Sequence, residues 1–274
     1  MSGPPGSAAA DELGAAWEAW IESRPGLDSI EDMASRYRDR LDGRGTSTAP
    51  DQAFSAPGRG LAALNYLALL SALEPWSRVR RGPFKPGDHV DAYEEWLNAL
   101  DHPLLGLPGH MGHAVRCLLL GKPGTLEVHE AASLLKVAKQ RAPLVKELQG
   151  AAFDMLYPTL CDMANAGALP GVDTPAAFVL TADSPLVKAR ARVESGSGVI
   201  LGPSGPVGFI AADTDYLAHY SERQIHRIRL LDNRVDANAA LRLATSNDGQ
   251  WQFLHSKVDE LENELLLRGM IAAD

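Results

Sequence analysis

Apolar residues recur along most of this chain at three- and four-residue intervals, the spacing of a helix that buries one face. Trp17, Trp20 and Ile21 mark such a face before a break at Arg24–Gly26. Ile30, Met33, Tyr37 and Leu41 mark the next, opened by Ser29 with Asp32 three residues on. Residues 43–60, rich in Gly, Ser, Thr and Pro, predict a loop. An apolar helix is expected from Leu61 to Leu73, stopping at Pro75, and another capped by Asp88 and carrying Val90, Tyr93, Trp96, Leu97 and Leu100. Thr125 is placed to cap a long helical stretch with Glu127 in its first turn. Pro143 and Pro158 should kink or divide that stretch.

The pattern changes near Ala168. Residues 176–182, 187–193, 197–202 and 206–212 are short β-branched or alternating runs punctuated by Gly and Pro, which predict a small antiparallel sheet or long hairpin. Helical spacing resumes from about Thr214 to the C-terminus. The expected fold is therefore mainly α, a multi-helix bundle with a small antiparallel β-hairpin or sheet insertion around residues 176–212. Residues 1–14 read as a flexible leader and 15–274 as a single domain, without internal repeats.

Composition narrows the function classes. The 274 residues carry a net charge of −9, with 45% hydrophobic and 22% charged residues. An acidic chain is a poor partner for phosphate backbones or anionic lipid, so neither nucleic acid nor membrane is expected. The small basic run Arg78, Arg80, Arg81 and Lys85 reads as a solvated loop. No apolar run approaches the ~20 residues of a membrane span. The N-terminus lacks a basic segment followed by an apolar one, so it is not read as a secretory signal. Two cysteines, Cys117 and Cys161, are too few for a disulfide framework, and a reducing, cytoplasmic location is expected. Usage rich in Ala, Gly, Arg and Pro suggests a bacterial source.

Two stretches carry candidate chemistry. In "HMGHAVRCLLLGKPGT" (110–125), His113 and Cys117 lie one helical turn apart on one face, with His110 a turn earlier. An axial imidazole with a thiol one turn along suits haem iron and covalent attachment to a haem vinyl group. The plain alternative is a short helix with Val115, Leu118 and Leu119 that buries Cys117 as a small hydrophobe. Zinc is disfavoured because no C-x-x-C pair is present. A Cys117–His113 nucleophilic dyad lacks an evident third group to orient it. In the second stretch, Asp215, His219, Glu222 and His226 fall in a narrow arc of one predicted helix face and could hold a non-haem metal ion, with Glu127, His129 and Glu130 as candidate ligands from elsewhere. Leu217, Tyr220, Ile228 and Leu231 lie opposite and need the core, with Arg223 and Arg227 on the flank. That placement favours surface ion pairs over a metal site.

The first stretch resembles the H-x-x-x-C haem-attachment motif of the 3-methyltyrosine hydroxylases of saframycin-type antibiotic pathways, within the haem-dependent aromatic oxygenase superfamily. It is also similar to the proximal-histidine helix of tryptophan 2,3-dioxygenase, another member. The resemblance implies a haem cofactor and an oxygenase or hydroxylase acting on an aromatic amino acid or related small metabolite. His113 would then be the axial ligand, Cys117 the attachment point and His110 a second axial or distal candidate. Trp76, Trp96, Tyr66 and Tyr93 are candidate pocket aromatics, though aromatics at helical spacing are usually core. The glycine-rich run 196–206 reads as a tight hairpin or a lid. A non-haem metalloenzyme using Asp215, His219, Glu222 and His226 is one alternative. A non-catalytic helical interaction protein is the other, because Val258, Leu261 and Leu265 form a C-terminal seam that could pair between chains as a homo-oligomer.

Overall fold

The computed structural model describes residues 56–100, 109–139, 141–165, 186–187, 193–202, 205–212, 215–243 and 248–273. The expected leader, the two helices marked by Trp17–Ile21 and Ile30–Leu41, and residues 176–185 lie outside them.

Helix α1 (Ala56–Val79) is the long central element. It continues one turn past Pro75 rather than stopping there, because Trp76 and Val79 remain on the buried face. Helix α2 (Pro86–Leu100) begins two residues before Asp88. Proline suits a first helical position, where the missing N–H has no intrahelical partner, and Asp88 then sits in the first turn near the positive end of the helix dipole. Its buried stripe is His89, Val90, Ala92, Tyr93, Trp96, Leu97 and Leu100. Helix α3 (Gly109–Leu120) is buried on nearly every side; among its residues only Gly109 and Arg116 are partly open. A helix buried on nearly every side must be surrounded, and α1, α2, helix α4 (Leu126–Leu134) and helix α6 (Leu156–Asn165) all pack against it.

Helix α5 (Val145–Asp154) follows the break that Pro143 introduces. The Glu147 carboxylate reaches back to accept from the Leu144 N–H at 3.1 Å. Pro158 lies in the first turn of α6, where it costs no hydrogen bond. A 3-10 turn (Asp215–His219) leads into helix α7 (Glu222–Leu243), which packs on α2, and helix α8 (Asp248–Leu267) closes the bundle against α1. The Tyr66 hydroxyl donates to Glu262 at 2.5 Å, and Arg268 pairs with Glu74 at 2.5 Å across the same contact. The chain end is fixed by Val145 N–H donating to the Ala272 carbonyl and Ala272 N–H to the Pro143 carbonyl, both at 3.0 Å.

The expected fold class is corrected in one respect. The helical bundle part holds; the small antiparallel β-hairpin or sheet insertion expected around residues 176–212 does not, since no sheet packs on the bundle among the described residues. Among the described residues, the backbone of Val193–Gly202 (β1) and Gly205–Ala212 (β2) pairs only with itself, with a break in register between Ser195 and Val199, and no helix is among its substantial neighbours. Short β-branched runs punctuated by Gly and Pro signal extended chain, whereas an independently stable sheet needs a third strand or a covering layer; among the described residues the sheet has two strands. Among the described residues, the buried cluster is drawn from the helices and the turns between them.

A buried polar cluster on helix α3

The stretch with candidate haem chemistry is the innermost helix of the bundle. His110, His113 and Cys117 are all at least 96% buried. His110 Nε2 lies 2.6 Å from Asp162 Oδ2 on α6, so the imidazole donates to the carboxylate. His113 Nε2 faces Cys117 Sγ at 3.5 Å, and the Tyr216 ring of the 3-10 turn stands 6.4 Å from the His113 ring. The spacing argument is thus correct for His113 and Cys117, which do meet one turn apart. The partner of His110 lies 52 residues away and left no local signal.

Arg116, on the same helix, anchors a second polar group that sequence reasoning missed. Its Nε–H donates to the Tyr93 hydroxyl oxygen at 2.9 Å and one terminal N–H to Asp232 at 3.0 Å. The Tyr93 hydroxyl itself donates to Asp232, closing a triangle between α2, α3 and α7. Burial pushes the Tyr93 phenol far above its ordinary range, so it stays neutral. Burial works against the Arg116 charge, but Tyr93 and Asp232 beside it outweigh that effect and keep the guanidinium protonated.

His89 was also missed, although its place on the α2 stripe, four residues before Tyr93, marks it as buried. Its Nδ1–H donates to the Leu119 carbonyl at 2.6 Å. A carbonyl can only accept, so this bond fixes the tautomer and leaves Nε2 as a bare acceptor. Nε2 is buried with no hydrogen-bond partner among the described residues, and burial lowers the His89 pKa from its ordinary value.

The alternative metal stripe is not assembled. Asp215 and His219 sit on the 3-10 turn, Glu222 and His226 on α7 after a break at Tyr220 and Ser221, and all four are exposed. Tyr220, Ile228 and Leu231 point into the core, as expected of an amphipathic segment. Among the described residues, no group of three or more His, Cys, Asp or Glu side chains could hold a metal ion. His129 is exposed, and Glu127 and Glu130 are half-buried. Trp76, Trp96, Tyr66 and Tyr93 are core residues; the Trp96 indole N–H donates to the Ala68 carbonyl at 2.9 Å. Helix α8 packs on α1 with Val258 and Leu265 of the C-terminal seam buried and Leu261 half-buried. No helix of the described residues is long and apolar enough to cross a membrane.

Comparison of the chain with protein-family models, with curated proteins and with solved structures returned no match.

Proposed function

We propose that the chain is a non-catalytic helical interaction module in which α3 is an internal support. One observation carries this reading. The reactive side chains of α3 are spent on other groups of the chain: His110 on Asp162, His113 and Cys117 on each other, Arg116 on Tyr93 and Asp232. Buried polar groups that are hydrogen-bonded across several elements specify one packing and leave little chemistry for a substrate. The net charge of −9 favours a protein partner with a neutral or basic face over nucleic acid.

A second reading, a haem-dependent oxygenase acting on an aromatic amino acid or related metabolite, is favoured by the carboxylate on His110. Ligating histidines commonly donate their other ring N–H to such a group. The packing does not fit haem, however. His113 and Cys117 would have to part, and the flank of α3 would have to open where Met111, Val115, Leu118 and Leu119 are fully buried.

The test is a UV–visible spectrum and intact mass of the protein expressed with haem precursor, with elemental analysis of the same sample. A colourless protein with no haem-sized mass gain and no stoichiometric metal is the expected result. A Soret band that disappears in His113→Ala, with a mass gain that disappears in Cys117→Ser, overturns the interaction-module reading in favour of the haem enzyme. Stoichiometric metal lost on changing His219 and His226 would instead point to the exposed stripe.

A further inference from the structure

The C-terminal end of α3 is held by side chains from two other elements. The His89 Nδ1–H of α2 caps the Leu119 carbonyl at 2.6 Å, and the Tyr220 hydroxyl, at the junction of the 3-10 turn and α7, caps the Leu120 carbonyl at 2.5 Å. Phe84 lies between the two caps. Its ring centroid is 4.7 Å from that of His89 and 5.9 Å from that of Tyr220, and it also meets the exposed His219 ring at 6.0 Å. Phe84 is the half-buried residue of an otherwise exposed turn, Arg81–Lys85, and a side chain at Gly82 would meet nothing within 4 Å. The ring is therefore carried on an exposed segment, joined to α2 where the Lys85 carbonyl accepts the His89 backbone N–H at 3.3 Å.

We propose that Phe84, His89 and Tyr220 form an acid-opened latch at the C-terminus of α3, closed while His89 is neutral and released when its Nε2 takes a proton. In the closed state Nδ1–H is already committed to Leu119. A proton on Nε2 creates a second donor that the closed packing gives no acceptor, and a buried donor without an acceptor is costly. The cheapest remedy is water, admitted by withdrawal of the Phe84 turn. The charged groups around the site do not remove this conflict. Asp88 on α2 is exposed and its charge favours protonation, but burial outweighs it. The turn itself brings only the cations Arg81 and Lys85, the 3-10 turn brings His219 beyond Phe84, and α3 presents the carbonyls that Nδ1–H and the Tyr220 hydroxyl already occupy.

The closed state binds the proton less tightly than the open one, whose histidine titrates near the ordinary 6.5. Closure is therefore fully favoured above pH 6.5 and weakens as the pH falls below it. The test uses the full chain with nitrogen-labelled histidine, followed by NMR, binding of the dye ANS and far-UV circular dichroism between pH 7.5 and 4.5. His89 should be the Nδ1–H tautomer at pH 7.5. Its protonation below pH 6.5 should coincide with a several-fold rise in dye fluorescence while the helical signal is retained. His89→Asn, which keeps a donor for Leu119 but cannot titrate, should abolish the rise, and His219→Asn should leave it. The latch is overturned if the rise survives in His89→Asn, if His89 titrates with no rise, or if the helical signal collapses at the same pH. Should His89→Asn fail to fold, the wild-type midpoints alone decide: a His89 titration and a dye transition that do not coincide refute the proposal.

Discussion

The triangle of Arg116, Tyr93 and Asp232 allows the bundle's central contact to be tested quantitatively. Consider Asp232→Ala. The substitution removes the acceptor of two hydrogen bonds, from the Arg116 guanidinium and from the Tyr93 hydroxyl. Leaving one partner of a fully buried pair uncompensated costs about 3–5 kcal/mol, whereas an exposed pair contributes about 0.2–1 kcal/mol. Here 22% of the Arg116 side chain and 28% of the Asp232 side chain reach solvent, so water can partly replace the lost partner. The expected loss is therefore about 2–3 kcal/mol, nearer the buried limit because the Tyr93 hydroxyl sits wholly in the core.

The clean measurement is a double-mutant cycle with Arg116→Met, which preserves much of the side-chain stem while removing the charge. Urea unfolding followed by far-UV circular dichroism gives each stability from the midpoint and slope. If the two groups act as a pair, the double variant should be less destabilised than the sum of the singles by about 1–2 kcal/mol. Tyr93→Phe should cost about 1–2 kcal/mol alone, because it removes one donor and one acceptor in a dry site. Additivity within about 0.5 kcal/mol would refute the reasoning. It would mean that α2, α3 and α7 are held by apolar packing and by other polar contacts, such as Arg227 with Asp91 and Glu94, and that the triangle is incidental.

Two further substitutions test the packing around the same helix. A Cβ on Gly121 would lie 2.3 Å from the Cys117 carbonyl oxygen and 2.3 Å from Val128 Cγ2. Gly121→Ala should therefore destabilise by about 1–3 kcal/mol, and Val128→Ala in the same chain should recover only part of the loss, because the backbone oxygen cannot move aside as a methyl can; full tolerance in a thermal melt would show the turn to be looser than described. Leu265→Ala should cost about 2–5 kcal/mol by leaving a cavity against α1, with no change in sedimentation; a change in association state without loss of stability would place the C-terminal seam between chains instead.

What sequence pattern made legible was the set of faces, and what it hid was the set of partners. The α2 stripe from Val90 to Leu100 and the inward side of α7 at Ile228 and Leu231 follow from helical periodicity, because apolar burial is local in its demand: a residue needs only to face inward. The one-turn meeting of His113 with Cys117 was legible for the same reason. Asp162, Tyr93 and Asp232 were not, because each bond joins groups 52, 23 or 116 residues apart, and nothing in either segment announces the other. The β-branched runs misled in the opposite direction, since alternation marks an extended chain but says nothing of what will cover it.

This asymmetry explains why the His- and Cys-bearing helix invites a cofactor reading from sequence and a structural one from geometry. Histidine, cysteine and arginine within eight residues are unexceptional on a surface helix, where water satisfies them at no cost. On the innermost helix of a bundle such groups need partners, and three of the bonds tie α3 each to a different neighbour, through Asp162 to α6, Tyr93 to α2 and Asp232 to α7, while His113 and Cys117 meet within the helix. Because an unmatched partner in such a site costs more than a matched pair contributes, the polar groups select one arrangement of helices more strongly than they stabilise it. A chain in which these residues serve catalysis would have to leave at least one of them directed at an open space beside the others. The four polar side chains of α3 are directed at one another and at the neighbouring helices, which is what the proposed interaction module requires of them.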